Sequence, residues 1–432
     1  GLNFIEVLFS LEMLPDLVEG RFPYGLECAG IVSRCGAQVD RFQVGDEVVA
    51  FTNGCYKAFA VAASRTVAPK PTTLSMAQAA TIPAAYMTAW YALTGPGRLV
   101  AGERILIHSA AGGVGLAAVH VARWLGAEVL ATAGTEEKRA YLQSIGIDHV
   151  TDSRGPGFGH QMMAATAGQG VDVVLNSLGQ EFTGESMSTL ARYGRFVELG
   201  KRGMLENAAL DLGPFQRQLT FTAVDVGPDL PKFEENWRQL IEHIDAERLP
   251  PLPCRAFPST EPGEGFRYMA RGQHIGKIVF TFGPPEDLIR STSSSDTEGR
   301  SFASIVGHPT DGATGQTPDE APYTCNVPTS LSPSDGVLTD AEDASSTEEA
   351  VARIWAELLG APSLRREDDF FDLNGDSLLA AQVISQVHGE LGVKLPFSAI
   401  FDAPTLQQLA QEIDEVLGTL PDTADDREEG II

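Results

Sequence analysis

Apolar and polar positions divide the chain into stretches of different character. Arg104–His108 holds Ile105, Leu106 and Ile107 together between turn residues, the pattern of a buried strand. A-A-G-G-V-G follows at Ala110–Gly115. Leu116, Val119, His120 and Arg123–Leu125 then recur at helical spacing. Strand-like runs return at Glu128–Ala133, His149–Ser153, Val171–Leu175, Gly194–Lys201 and Phe221–Asp225. Alternation of this kind predicts an α/β unit with a parallel sheet. Ahead of it, residues 1–90 are rich in β-branched and small residues with Gly turns. Gly30–Ser33, Asp46–Ala50 and Tyr56–Val61 read as short strands of a compact β-rich domain, and Ser75–Leu93 as helices with Pro83 at a helix start. From Gly283 to about Ser346 the periodicity is lost among Ser, Thr, Pro, Gly and Asp, the composition of a flexible linker. Order is expected again at Ser346-Thr347-Glu348-Glu349, a helix start. Val351, Ile354, Trp355, Leu358 and Leu359 form its apolar stripe; later runs around Leu378–Val387, Leu395, Ile400 and Leu406–Ile413 complete a small helical bundle.

The strand, Gly-rich turn and helix at Arg104–Gly126 are the opening of a dinucleotide-binding unit. In this reading Gly112 lets the chain turn tightly, Gly113 lets backbone amides approach a pyrophosphate, and Gly115 lets the helix pack close to the strand. Ala111 and Val114 complete the turn. The anion sits on the helix N-terminus, where amides lack partners and the macrodipole is favourable. The second strand selects the cofactor. An NAD site carries Asp or Glu at its end for the ribose 2′-hydroxyl. Here that place holds Ala133, Gly134 and Thr135, with Lys138 and Arg139 just beyond, so NADPH is expected. In such a sheet ligands bind outside the carboxyl ends of the strands, where Asn176, Lys201 and Asp225 fall.

Charge changes the picture of the second half. The chain carries a formal net charge of −27, and residues 283–432 hold 29 of its 58 acidic side chains but only 7 of its 31 basic ones. An acidic surface argues against nucleic acid or anionic membrane as partners and suits docking on basic protein patches. The five cysteines are scattered with no C-x-x-C pair, which suggests neither a disulfide framework nor a zinc cluster and fits a reducing, cytoplasmic setting. No apolar run reaches about 18 residues. The abrupt opening, GLNFIEVLF, is expected of a piece of a longer polypeptide.

Gly25-Leu26-Glu27-Cys28-Ala29-Gly30, Val44–Val48, Pro83–Leu93 (PAAYMTAWYAL) and the A-A-G-G-V-G turn together resemble a medium-chain reductase, specifically the enoyl reductase domain of polyketide and fatty acid synthases. The resemblance implies a GroES-like substrate domain, a Rossmann cofactor domain, and first strands lying upstream of Gly1. It implies that the N-S-L-x-G turn (Asn176, Ser177, Leu178) and the G-K turn (Gly200, Lys201) border the nicotinamide. The superfamily's zinc enzymes place His before Glu in a G-H-E turn; Leu26 stands there, so no metal is expected and hydride addition to an activated double bond replaces alcohol oxidation. The family's proton-donor candidates are a Tyr in G-x-Y-P and a Lys–Asp pair. Glu12-Met13-Leu14-Pro15 has lost the Tyr at Leu14; Lys201 and Asp225 keep the pair. The closing segment, Gly265–Met269 to His274–Val279, matches as well, with His274 read as structural.

Asp369–Leu379, F-F-D-L-N-G-D-S-L at its heart, makes residues 346–418 resemble an acyl or peptidyl carrier domain. That likeness implies a 4′-phosphopantetheine arm on Ser377, attached by a phosphopantetheinyl transferase. G-D-S-L also spells a hydrolase signature, which a helical domain of this size gives no scaffold. The expected layout is 1–91 GroES-like, 92–226 Rossmann, 227–282 return to the substrate domain, 283–345 linker, 346–418 four-helix carrier and 419–432 acidic tail. The expected function is NADPH-dependent reduction of an α,β-unsaturated acyl thioester on its own or a neighbouring carrier domain, among other synthase domains. The alternative is a non-catalytic reductase scaffold with only the carrier functional.

Overall fold

Apolar runs become strands here wherever neighbouring elements cover them. The computed structural model describes every residue except 11–22, 154–156, 206–208, 284–337, 340–343, 374, 376, 394, 396–398 and 420–432. Leu14 and its Glu12–Pro15 segment, nearly all of the expected linker, and Asp376 lie outside the described residues. The chain falls into two compact units, Gly1–Phe302 and Ala303–Ile432.

In the first unit β1 (Glu27–Ile31), β2 (Glu47–Phe51) and β3 (Val67–Pro69) form an antiparallel sheet in that order. Tyr56–Val61, expected as a strand, is irregular instead. Its apolar side chains find no core: Phe59 and Val61 are exposed, while the Tyr56 hydroxyl turns inward to donate to Glu6. The helix Met76–Ala79 starts on a capping box between Ser75 and Gln78. Helix Pro83–Thr94 starts on its proline and is buried on nearly every side.

Six parallel strands make the central sheet. They are β4 (Arg104–Ile107), β5 (Glu128–Thr132), β6 (His149–Thr151), β7 (Val171–Asn176), β8 (Leu190–Glu198) and β9 (Thr220–Ala223), in the order β6-β5-β4-β7-β8-β9. Both faces are covered. Ile105, Ile107, Ala131, Val173, Leu175 and Val197 enter one core; Leu106, Leu130, Val174 and Phe196 enter the other. Burial on both sides is why these strands read as unbroken apolar runs. The amphipathic helix Phe233–Asp245 adds Phe233, Trp237, Leu240 and Ile244 to the first core. The chain then returns through β10 (Cys254–Pro258) and the helix Pro262–Ala270 to β11 (Lys277–Thr281), which pairs parallel with β10 and bridges Leu2 through Ile278.

The second unit holds helices Ser346–Leu359, Ser377–Leu391, Ala399–Asp402 and Leu406–Thr419 around Trp355, Phe370, Val383, Val387, Leu409 and Ile413. Its first helix is capped by Ser345 in a capping box with Glu348, one residue earlier than the sequence suggests. Leu338 and Thr339, expected in the linker, belong to this core: Leu338 is buried in it, and the Thr339 amide donates to the Leu364 carbonyl.

Candidate active site

The strand order reverses at β4, and the glycine-rich turn leaves β4 there. The left-handed residue of that turn is Ser109, with φ 50°, and not Gly112, whose φ of −77° any residue adopts. Gly112 is instead the N-cap of the 12-residue helix Gly113–Trp124, and no side chain caps that end. The first amides of the helix are therefore open to an anion. A Cβ on Gly115 would lie 2.4 Å from the Ser109 carbonyl oxygen and 2.7 Å from Ala110 Cα, so glycine is what lets helix and strand approach. A Cβ on Gly113 would meet Lys277 Cδ at 2.6 Å. The space beside Gly113, expected to clear a ligand, is thus taken by a lysine stem. Ala111 is buried and its carbonyl accepts from Gly276 N–H at 2.8 Å; Val114 is half-buried. These features fit a dinucleotide pyrophosphate.

After β5 come Ala133, Gly134 and Thr135, with no acid among them. Thr135 caps the helix Glu136–Ser144, its hydroxyl accepting from Lys138 N–H at 3.3 Å. The two cations that follow are not equivalent. Arg139 is spent on the Ala133 carbonyl and Asp152, each at 3.0 Å. Lys138 Nζ lies 4.0 Å from where a Cβ on Gly272 would stand. Burial, with Lys138 and then Lys277 nearby, pushes His274 down to about 3. Its buried Nδ1 has no hydrogen-bond partner among the described residues.

Hydrogen bonds link the carboxyl ends of β7, β8 and β9. Asn176 is fully buried, and its amide donates to Glu198 Oε2 at 2.7 Å. Ser177 is exposed and donates to the His108 carbonyl at 3.4 Å; Leu178 N–H donates to Asn176 Oδ1 at 3.3 Å. Gly200 N–H donates to Glu198 Oε1 at 2.6 Å. Lys201 Nζ lies 2.5 Å from Asp225 Oδ1, the lysine side chain 22% exposed and the aspartate 76%. The geometry therefore brings Lys201 to Asp225 and groups Asn176, Leu178 and Gly200 around Glu198, a residue the sequence reading passed over. Burial pushes the Glu198 carboxyl up to about 7 against the pull of Asn176 and two backbone amides. His108, wedged between Thr132 Oγ1 and Ser186 Oγ at 3.0 Å each, is pushed down to about 3 by burial and stays neutral.

A second missed feature braces the turn. Lys277, 3% exposed, donates to Glu27 Oε1 at 2.5 Å, Asn3 Oδ1 at 2.7 Å and the Leu2 carbonyl at 2.9 Å. Glu27 Oε2 accepts from Ala84 N–H at 2.8 Å, at the start of helix Pro83–Thr94. Burial works against the Glu27 charge, but Lys277 holds the carboxyl below its ordinary value. This occupies the acid of the G-L-E turn. With Leu26 beside it, and no group of three or more His, Cys, Asp or Glu able to hold a metal among the described residues, the side chains do not fit a catalytic zinc. One signal marked both missed residues in advance: a lone charge inside an apolar strand, in F-V-E-L and in I-G-K-I-V.

In the carrier unit Ser377 opens its helix; its side chain lies outside the described set. Gly375 packs its backbone against Phe370, where a Cβ would lie 2.4 Å from the ring, and its N–H donates to the Phe370 carbonyl at 2.9 Å. The turn before Ser377 is thereby anchored on the core. Arg366 donates twice to buried Glu348, at 2.8 and 2.9 Å.

A Rossmann sheet, a bare glycine-turn helix N-terminus and a GroES-like partner define a medium-chain reductase. Residues 2–92 match the alcohol dehydrogenase GroES-like domain, 113–246 the zinc-binding dehydrogenase family, and 349–413 the phosphopantetheine attachment site. The chain is 42% identical over 286 residues to a phenolphthiocerol/phthiocerol polyketide synthase of Mycobacterium tuberculosis, covering 65% of this chain and 13% of that one. Among solved structures it is similar to the CurK enoyl reductase (37% identity, TM-score 0.59, 66% of this chain and 88% of that one). It is also similar to the CurF ER cyclopropanase of the curacin A biosynthetic pathway (34%, TM-score 0.60, 65% and 88%). The chain belongs to the enoyl reductases of polyketide synthases, here followed by a phosphopantetheine attachment domain. It spans only 13% of the first synthase it matches.

Proposed function

We propose that the first unit reduces an α,β-unsaturated acyl thioester with NADPH, and that the second carries acyl groups on a phosphopantetheine arm at Ser377. In this reading Ala111–Gly115 hold the pyrophosphate on the open helix end, Thr135 and Lys138 receive the 2′-phosphate side, and Asn176–Leu178 with Gly200 border the nicotinamide. Bound there, the cofactor supplies a hydride for the acyl β-carbon. Lys201, oriented by Asp225, then gives its proton at the α-carbon as charge develops on the thioester. The observation that carries the reading is the Lys201–Asp225 pair at the strand ends of a nucleotide-binding sheet. The proposed boundaries are 1–91, 92–226 and 227–282, a linker from 283, a carrier whose core already includes Leu338 and Thr339 rather than starting at 346, and a tail from 419. The proposed partners are a phosphopantetheinyl transferase, the chain's own or a neighbouring carrier, and other synthase domains, in the cytoplasm.

The test is NADPH consumption with a crotonyl thioester. Lys201→Ala should lower kcat by roughly 10²–10⁴ with little change in NADPH affinity, and Asp225→Asn should do less. The double variant should fall short of the product of the two losses, because the pair acts as a unit. Near-wild-type turnover in Lys201→Ala would remove the lysine from the donor role.

A further inference from the structure

We propose that Glu198 is the positioning residue of the nicotinamide half of the site, fixing the 176–179 and 198–201 turns relative to one another and so aiming Lys201 at the acyl group. The inference rests on the reductase reading above. β7 and β8 are register neighbours that end in Asn176 and Glu198, directly paired. From that position the Glu198 carboxylate takes one donor from each turn. Asn176 Nδ2 bonds Oε2 at 2.7 Å and Gly200 N–H bonds Oε1 at 2.6 Å. Asn176 passes the constraint on, accepting from Leu178 N–H through its side chain at 3.3 Å and from Leu199 N–H through its carbonyl at 2.9 Å. The Glu198 carbonyl accepts from Val224 N–H at 2.8 Å, next to Asp225. One residue therefore ties the ends of β7, β8 and β9, and every proposed nicotinamide-side residue is within two positions of a bond it makes.

Stability alone gives a poor account of this carboxylate. It is 8% exposed, its side chain bonds only uncharged donors, and an isolated buried charge is unfavourable. The titratable groups at the neighbouring strand ends have other partners: Lys201 and Asp225 bind each other, and neutral His108 binds Thr132 and Ser186. The bonds it does accept are specific in sense. Both oxygens face N–H donors, so an amide at 198 would turn an NH2 group on either Gly200 or Asn176. Burial also brings the carboxyl up to about 7. Above that the acceptor set is complete; below it one oxygen carries a proton and the turns slacken.

The test uses the whole chain carrying Glu198→Gln. NADPH affinity should stay within about threefold of wild type, because the pyrophosphate turn and Lys138 are untouched. With a crotonyl thioester kcat should fall about tenfold or more. The wild-type rise in kcat through pH 7 should vanish in the variant. Wild-type kcat with an unchanged pH profile would overturn the proposal. Should Glu198→Gln not fold, Glu198→Asp keeps the acceptors at shorter reach and should lose kcat in the same direction; wild-type kcat there would overturn it equally. If the unaltered chain oxidises no NADPH with this substrate, the reductase reading fails by itself. The emission of bound NADPH then decides Glu198 alone. Identical emission from wild type and Glu198→Gln at pH 6 and pH 8, or no NADPH binding at all, overturns the positioning role.

Discussion

Arg139 is bound to Asp152 and to the end of its own strand; in the proposed reading Lys138 is the cation that meets the 2′-phosphate. Lys138→Ala should weaken NADPH by one to two powers of ten, about 1.4–3 kcal/mol for a lost charge-assisted contact, and leave NADH nearly unchanged. Fluorescence titration with both cofactors measures this; equal losses would contradict it. Glu198 gives a pH signature in stability. Its carboxyl holds a proton in the fold up to about 7, against an ordinary value of 4.5. Between those values the folded state binds more protons than the unfolded, so stability falls as pH rises through that window and is level above it. The loss is about 3 kcal/mol at 1.36 kcal/mol per unit. Glu198→Gln should therefore gain on wild type by about that amount between pH 4.5 and pH 8, read from the unfolding transition of the reductase unit. A constant difference would show that Glu198 does not titrate there.

At the scale of elements, the ion pair Lys277–Glu27 joins β11, the start of β1, helix Pro83–Thr94 and the glycine turn. Lys277→Met leaves a buried carboxylate without its cation and should destabilise the unit by about 3–5 kcal/mol. Adding Glu27→Gln should recover much of that loss, since the uncompensated charge is removed. Denaturant midpoints of both variants measure it, and additive losses would argue against a coupled pair. The same elements show how far sequence carries. The strands of the central sheet were legible because a sheet buried on both faces writes its burial into consecutive apolar residues, as at Ile105–Ile107 and Val173–Leu175. Tyr56–Val61 misled because its β-rich composition says nothing about whether a partner strand is present. Ser109 was hidden because a left-handed serine has no spelling in sequence, whereas the neighbouring glycines invite the assignment. The pair Lys201–Asp225 could be placed from strand ends; Glu198 and Lys277 were marked as charges beside apolar residues, but their roles could not be read. Their roles depend on groups brought to them from distant positions, Gly200 and Asn176 in one case and Glu27 in the other.

At the scale of the whole chain, acidity divides the labour. The C-terminal stretch holds half of the acidic side chains with few basic ones, and the family match there is to phosphopantetheine attachment. Ser377→Ala should abolish the mass increase that follows incubation with coenzyme A and a phosphopantetheinyl transferase; modification persisting in the variant would move the attachment point. For wild type the rate of loading should fall as salt rises, because encounter between an acidic carrier and a basic enzyme is screened. A salt-independent rate would separate recognition from charge.

The bond from Gly276 to Ala111 has a consequence in time. The glycine turn is made well before the strand that braces it and the lysine whose stem fills the space beside Gly113, which emerge only near the end of the reductase unit. At roughly 5–20 residues per second a nascent chain waits on the order of ten seconds or more between the two. During that interval the turn exists without its brace and Glu27 without its cation. Contacts so far apart in sequence slow folding, and here they also order it. The glycine turn gains its last neighbours only once Lys277 has been made, so the finished unit, and not the first two thirds of it, presents the complete turn.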